Sequence, residues 1–200
     1  MKKRISALFL MIVLCLSFGM AAFAKEENAA RLVDKAELLT ESARERVLSL
    51  LDEISGRQQL DIVIVTTDTL DGKTPMAYAD DFYDENGYGY GSGRDGVLLL
   101  VSMEDRDWWI STSGYGIIVF TDAGMDYMSD QFLPALGDGD YEGAFTSFAH
   151  LCDRFITQAR VDAPYDIGEL PKAPFHIGYF LSRALFIGLF FAVIITLVMR

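Results

Sequence analysis

The chain has 200 residues, with 29 acidic against 17 basic side chains and a formal charge of −12 at pH 7. A surface this acidic repels phosphate backbones, and no polybasic or aromatic-interleaved stripe interrupts it, so nucleic-acid binding is excluded. With 2 cysteines and 2 histidines, a disulfide framework, a His-rich zinc site and a Ser-His-Asp triad have almost nothing to draw on.

In chain order, Lys2, Lys3 and Arg4 form a basic start and Ile5 to Met20 an apolar run. Ala22-Phe23-Ala24 supplies an A-x-A cleavage site, so residues 1–24 read as a signal peptide, which would take Cys15 with it. The remaining thiol, Cys152, reads as a small buried hydrophobe. Thr40 is a good N-cap for a helix to about Arg57, with Val47, Leu48, Leu51 and Ile54 as its apolar stripe. Leu60 to Thr66 is short and β-branched and reads as a buried strand. Asp71-Gly72 is a turn, and Thr74-Pro75 opens a second helix whose inward face is Met76, Ala79, Phe82 and Tyr83. After the glycine-rich stretch 86–95 comes a second buried strand, Gly96 to Ser102. Trp108 to Ser113 alternates, with Trp109, Ser111 and Ser113 on one face and Trp108, Ile110 and Thr112 on the other. It reads as a third strand hairpinned to the second.

Gly114-Tyr115-Gly116 ends that strand. Thr121-Asp122 caps a third helix with Met125, Met128 and Phe132 inward, and residues 134–140 read as a turn. A last helix runs from about Tyr141 to Arg160. Residues 161–175 hold three of the 5 prolines and read as a stiff linker. From Ile177 to Met199 the only charge is Arg183, so residues 176–199 read as a membrane-spanning helix, with Arg200 on the cytoplasmic side. The working part is then a single extracytoplasmic domain over 30–160, tethered by one span at the cell membrane. Two strands joined by a helix should be parallel and the third antiparallel, which gives an α/β fold: a three-layer α/β/α sandwich on a small mixed sheet.

Gly91-Ser92-Gly93-Arg94-Asp95-Gly96 fits G-x-G-x-x-G, but it follows a helix and opens a strand, the reverse of a dinucleotide-binding turn. What remains is carboxylate, which suits the hard cations Ca²⁺ and Mg²⁺. One end of the sheet offers Asp68, Glu104, Asp105 and Asp107. The other offers Asp95 and the segment from Gly114 to Asp122, and Asp34 could reach either. Asp138-Gly139-Asp140-Tyr141-Glu142 opens like a calcium loop but has no Glu at the twelfth position, so a turn and helix cap is preferred.

Leu32-Val33-Asp34, the Ile62-Val63-Ile64-Val65 strand, Tyr83 to Gly91, Asp95-Gly96 with its apolar run, Asp105-Arg106, Gly114-Tyr115-Gly116 and Gly139-Asp140-Tyr141 occur in that order. As an ordered set over roughly residues 30–160, they resemble the TPM domain family. The resemblance implies an α/β/α fold and two activities, acid phosphatase action and divalent-cation binding. Asp95-Gly96 stands where that family usually has Asn-Gly, and Ile117-Ile118 where an acidic residue is common. Two functional expectations follow. The first is a membrane-tethered accessory or binding domain, in contact with an envelope membrane protein and holding Ca²⁺ or Mg²⁺ with Asp34, Asp95 and Asp122 as candidate ligands. The second is a metal-assisted acid phosphatase with Arg94 or Arg106 as the phosphate-binding cation and no nucleophile identified.

Overall fold

The structure is a computed structural model and describes residues 29–171. The signal peptide expected over 1–24 and the membrane helix expected over 176–199 lie outside the described residues. Among the described residues, no helix is long and apolar enough to cross a membrane.

The elements are β1 (Leu32–Asp34), α1 (Glu41–Gln58), β2 (Asp61–Thr67), α2 (Pro75–Glu85), β3 (Gly96–Ser102), β4 (Asp107–Ser113), α3 (Gly116–Val119), α4 (Asp122–Gly137) and α5 (Tyr141–Val161). Four helices start where a short polar side chain can take a first-turn amide. Thr40 accepts from Ala43 N–H at 3.3 Å, Thr74 from Ala77 at 3.2 Å, Thr121 from Gly124 at 3.1 Å and Asp140 from Gly143 at 2.9 Å. Each such cap contributes about 1 kcal/mol, so the starts are set locally.

The four-stranded sheet has the order β1-β2-β3-β4. The first three strands are parallel, with Asp34 beside Thr66 and Asp61 beside Gly96; β4 is antiparallel to β3, with Leu99 beside Ile110. Period-2 alternation sends successive side chains to opposite faces. Ile62, Ile64, Val97, Leu99 and Val101 join α1, α4 and α5 in the larger core, where Phe132, Phe145, Phe148 and Phe155 are fully buried. Val63, Val65, Leu98 and Leu100 meet Ala79 and Tyr83 of α2 on the other side. These are the three expected layers.

Several local expectations change. β1 was not anticipated: three residues cannot display a period, and the strand is defined by its pairing to Ile64–Thr66. The segment 134–140 is not all turn, because α4 continues through Pro134 to Gly137, where Leu133 and Leu136 still pack on the core. Met76 points outward, at 50% exposure. α3 is a further short helix after β4. The start of the linker is docked on the domain: Tyr165 packs edge-on to Phe155 at 4.8 Å, and Thr121 Oγ1 donates to its carbonyl at 2.7 Å. Cys152 is fully buried, and burial pushes its thiol well above the ordinary range, in keeping with a packing role.

Candidate functional site: an apolar groove on the open edge of the sheet

The glycine-rich stretch is a tight loop closed by a Tyr90–Asp95 bridge, with Tyr90 N–H on Asp95 O at 2.9 Å and Asp95 N–H on Tyr90 O at 3.1 Å. Gly114 is left-handed at φ 57°, and any side chain there would run into the Asp95 carboxylate. This close approach lets Asp95 Oδ1 accept the Tyr115 N–H at 2.7 Å. The loop therefore ties the entrance of β3 to the exit of β4. Arg94 is committed within it: its guanidinium donates to Tyr88 O at 3.0 and 3.1 Å and pairs with Asp84 at 3.1 Å. Arg106 sits in the β3–β4 turn at φ 51°, away from that loop.

Asp34, at the end of β1, has a side chain with 0% exposure. Its carboxylate accepts Leu38 N–H at 3.1 Å, Leu39 N–H at 3.0 Å and the Thr66 hydroxyl, with Arg44 at 3.4 Å. It shapes the turn into α1. Asp34 lies level with Thr66, and Asp95 precedes the residue level with Asp61, so the two stand six residues, about 20 Å, apart along the strand direction, at ~3.3 Å per residue. Asp122 is the first residue of α4. One cation cannot touch both Asp34 and Asp95. Among the described residues, no group of 3 or more His, Cys, Asp or Glu side chains stands together to hold a metal. The three aspartates therefore do not fit a single Ca²⁺ or Mg²⁺ site.

A second polar cluster closes the same end of the sheet as Asp95. Arg31 donates to Asp52 and Asp61, each at 2.7 Å, and Gly89 N–H donates to Asp61 at 2.9 Å. Burial, reinforced by the charge of Asp61, pushes the Tyr88 hydroxyl up to about 12, so it stays a donor, to Ala30 O at 2.7 Å. These groups are satisfied by one another and read as structure.

The open feature is on the sheet edge. Among the described residues, β4 has β3 on one side only. Along its other side runs a groove of about 630 Å³ between the first turn of α2 and the first turns of α4. Its apolar walls are Met76 and Trp109 on the α2 side and Trp108 and Met125 on the α4 side. Trp108 is braced edge-on against Phe132 at 5.8 Å, whereas Trp109 is 39% exposed. Asp107, Asp122 and Asp126 also line the groove, and among the described residues no basic side chain does. Of the three aspartates expected as cation ligands, only Asp122 is here, joined by Asp107 from the other carboxylate set. The faces of Trp108 and Trp109 follow the alternation visible in the sequence, but nothing local to them shows that they flank a groove. Two adjacent tryptophans in one strand face opposite ways: Trp108 packs on the larger core, and Trp109, on the α2 face, is left partly open.

A family model described as the TPM domain matches residues 32–154. Over 105 residues the chain is 29% identical to UPF0603 protein YdjH of Bacillus subtilis (strain 168), a match covering 52% of this chain and 38% of that protein. The chain thus matches about two fifths of the length of that curated relative. In fold it is similar to the solution structure of the N-terminal domain of cg2496 protein from Corynebacterium glutamicum (TM-score 0.52, 19% identity, 78% of this chain and 95% of that one). It is also similar to the BA42 protein of Bizionia argentinensis (TM-score 0.54, 15% identity, 68% and 91%).

Proposed function

The chain belongs to the TPM domain family, and from that premise we propose that it is a membrane-tethered, extracytoplasmic binding domain that supports envelope membrane proteins by docking on them through the β4 groove. The observation that carries this reading is the groove itself: an exposed tryptophan and methionine on an uncovered sheet edge. Apolar surface with a few placed polar groups is the usual character of a binding surface, and tryptophan dominates binding energy at such surfaces. The tether is supported by the run of apolar residues at 177–199 and the extracytoplasmic side by the N-terminal pattern.

In this reading Ca²⁺ or Mg²⁺ is attracted by the surplus of carboxylates and is not a resident ion held jointly by Asp34, Asp95 and Asp122.

The test is photo-crosslinking in native membranes. A photoreactive residue replaces Trp109, and in a second strain replaces His150 on the far helix α5. Adducts to a membrane protein at 109 and not at 150 support docking through the groove. Equal adducts at both positions, or none at 109, contradict it. Alkaline extraction of the same membranes checks the tether, and release of the full chain into the soluble fraction would refute a membrane span.

A further inference from the structure

Resting on that docking reading, we infer that the groove takes an extended, cationic polypeptide segment, which adds to β4 as a further strand of the sheet. The backbone of β4 is prepared for this. Among the described residues, no backbone–backbone hydrogen bond reaches β4 from any element but β3. The Trp108 N–H instead turns onto the carboxylate of its own neighbour Asp107, at 2.9 Å. Alternation along an antiparallel strand then aims the N–H and C=O groups of Ile110 and Thr112, with the C=O of Trp108, to the open side. An uncovered row of such groups is a template for another strand.

Edge strands that must not pair are blunted by lysine, proline or a bulge. Asp-Trp-Trp-Ile-Ser-Thr-Ser has none of these, and its register with β3 runs unbroken from Ser102–Asp107 to Gly96–Ser113. The flanking helices add the second requirement of strand addition, pockets for alternate side chains. A strand laid on β4 sends one set of side chains to the Met76–Trp109 wall and the other to the Trp108–Met125 wall.

Charge selects the occupant. Asp107, Asp122 and Asp126 line the groove, and Asp80 on α2 accepts the Ser111 hydroxyl beside it. A second copy of this chain would bring the same carboxylates and another formal charge of −12 against them. Lysine or arginine side chains on the incoming segment complement the rim and speed its encounter.

The experiment uses the full chain in detergent, with blocked octapeptides of alternating Lys and Val as the probe and tryptophan emission as the readout. The Lys-Val peptide binds saturably below about 1 mM, and a Glu-Val peptide binds at least about tenfold more weakly. N-methylation of the amides along one edge of the Lys-Val peptide abolishes binding, while methylation along the other edge changes it by less than about twofold, because only one edge pairs. In D122N/D126N, whose changes are near the surface and whose folding is checked by circular dichroism, the affinity for the Lys-Val peptide falls about tenfold. Equal effects of methylation on both edges, or none on either, overturn strand addition. Equal binding of the Glu-Val peptide overturns the cationic preference.

Failure of every peptide to bind sinks this inference alone if adducts still form at position 109 in membranes. Loss of those adducts with peptide binding intact sinks the docking reading instead.

Discussion

Removing the Asp34 carboxylate is the perturbation whose cost follows most directly from geometry. In Asp34→Ala, the buried Leu39 N–H and the Thr66 hydroxyl lose their acceptor, and so do the part-buried Leu38 N–H and Arg44. An unsatisfied buried donor costs about 1–3 kcal/mol, and Arg44 at 36% exposure turns to water at little cost. Two fully affected donors and one partly affected one give a loss of about 3–5 kcal/mol, a large part of the ~5–15 kcal/mol that stabilises an ordinary domain. Asp34→Asn keeps one acceptor oxygen and should lose about half as much. The assay is the thermal transition of the full chain by near-ultraviolet circular dichroism, in EDTA and in millimolar Ca²⁺. At about 3–4 °C per kcal/mol for a domain of this size, Tm falls by roughly 10–20 °C for Ala. The loss is the same with and without calcium. A drop under about 3 °C for Ala refutes the structural assignment of this carboxylate. A drop seen only in calcium shows that it is a cation ligand.

Three further outcomes are expected. Burial pushes the Asp153 carboxyl up, but the Arg57 and Gln58 hydrogen bonds together with the Arg57 and His150 charges hold it below its usual range. That stability is present above the unfolded carboxylate value near pH 4 and is lost as pH falls through the lower folded value, so acid unfolding of Asp153→Asn should be shallower below about pH 4 than that of the wild type. Gly87→Ala meets nothing within 4 Å and bears only the left-handed backbone penalty of about 1–2 kcal/mol, whereas Gly114→Ala also collides with Asp95, adding about 1–3 kcal/mol in chemical denaturation. Cys152 in the native protein should resist alkylation, followed by mass spectrometry of its peptide, until the domain unfolds; rapid modification of the folded protein would contradict its burial.

Most of the fold was legible because its signals are local. Thr40, Thr74 and Thr121 mark helix starts by what a threonine can do for a first-turn amide. The all-apolar runs of β2 and β3 mark strands covered on both faces. β1 carries no such signal, and missing it had a cost at the site. Once Leu32–Asp34 is known to lie parallel to β2, its last residue falls at the opposite end of the sheet from Asp95, and a joint metal site with Asp34 disappears. The continuation of α4 past Pro134 was hidden for a different reason. Proline's propensity argues for a stop, but Leu133 and Leu136 have core to pack on, and the lost hydrogen bond lies in the last turn. The groove was half legible. The tryptophan pair and its alternation are in the sequence, but Met76, Met125, Asp122 and Asp126 come to the β4 edge only through the packing of α2 and α4 on opposite faces.

The central claim is that the open side of β4 is a pairing surface, and amide hydrogen exchange tests it residue by residue. In the free chain, the outward amides of Ile110 and Thr112 should exchange faster than the inward ones of Trp109, Ser111 and Ser113. Saturation with the Lys-Val peptide should then slow the outward set by at least about tenfold and leave the inward set unchanged. Exchange at Ile110 and Thr112 that does not change under saturating peptide would contradict the account.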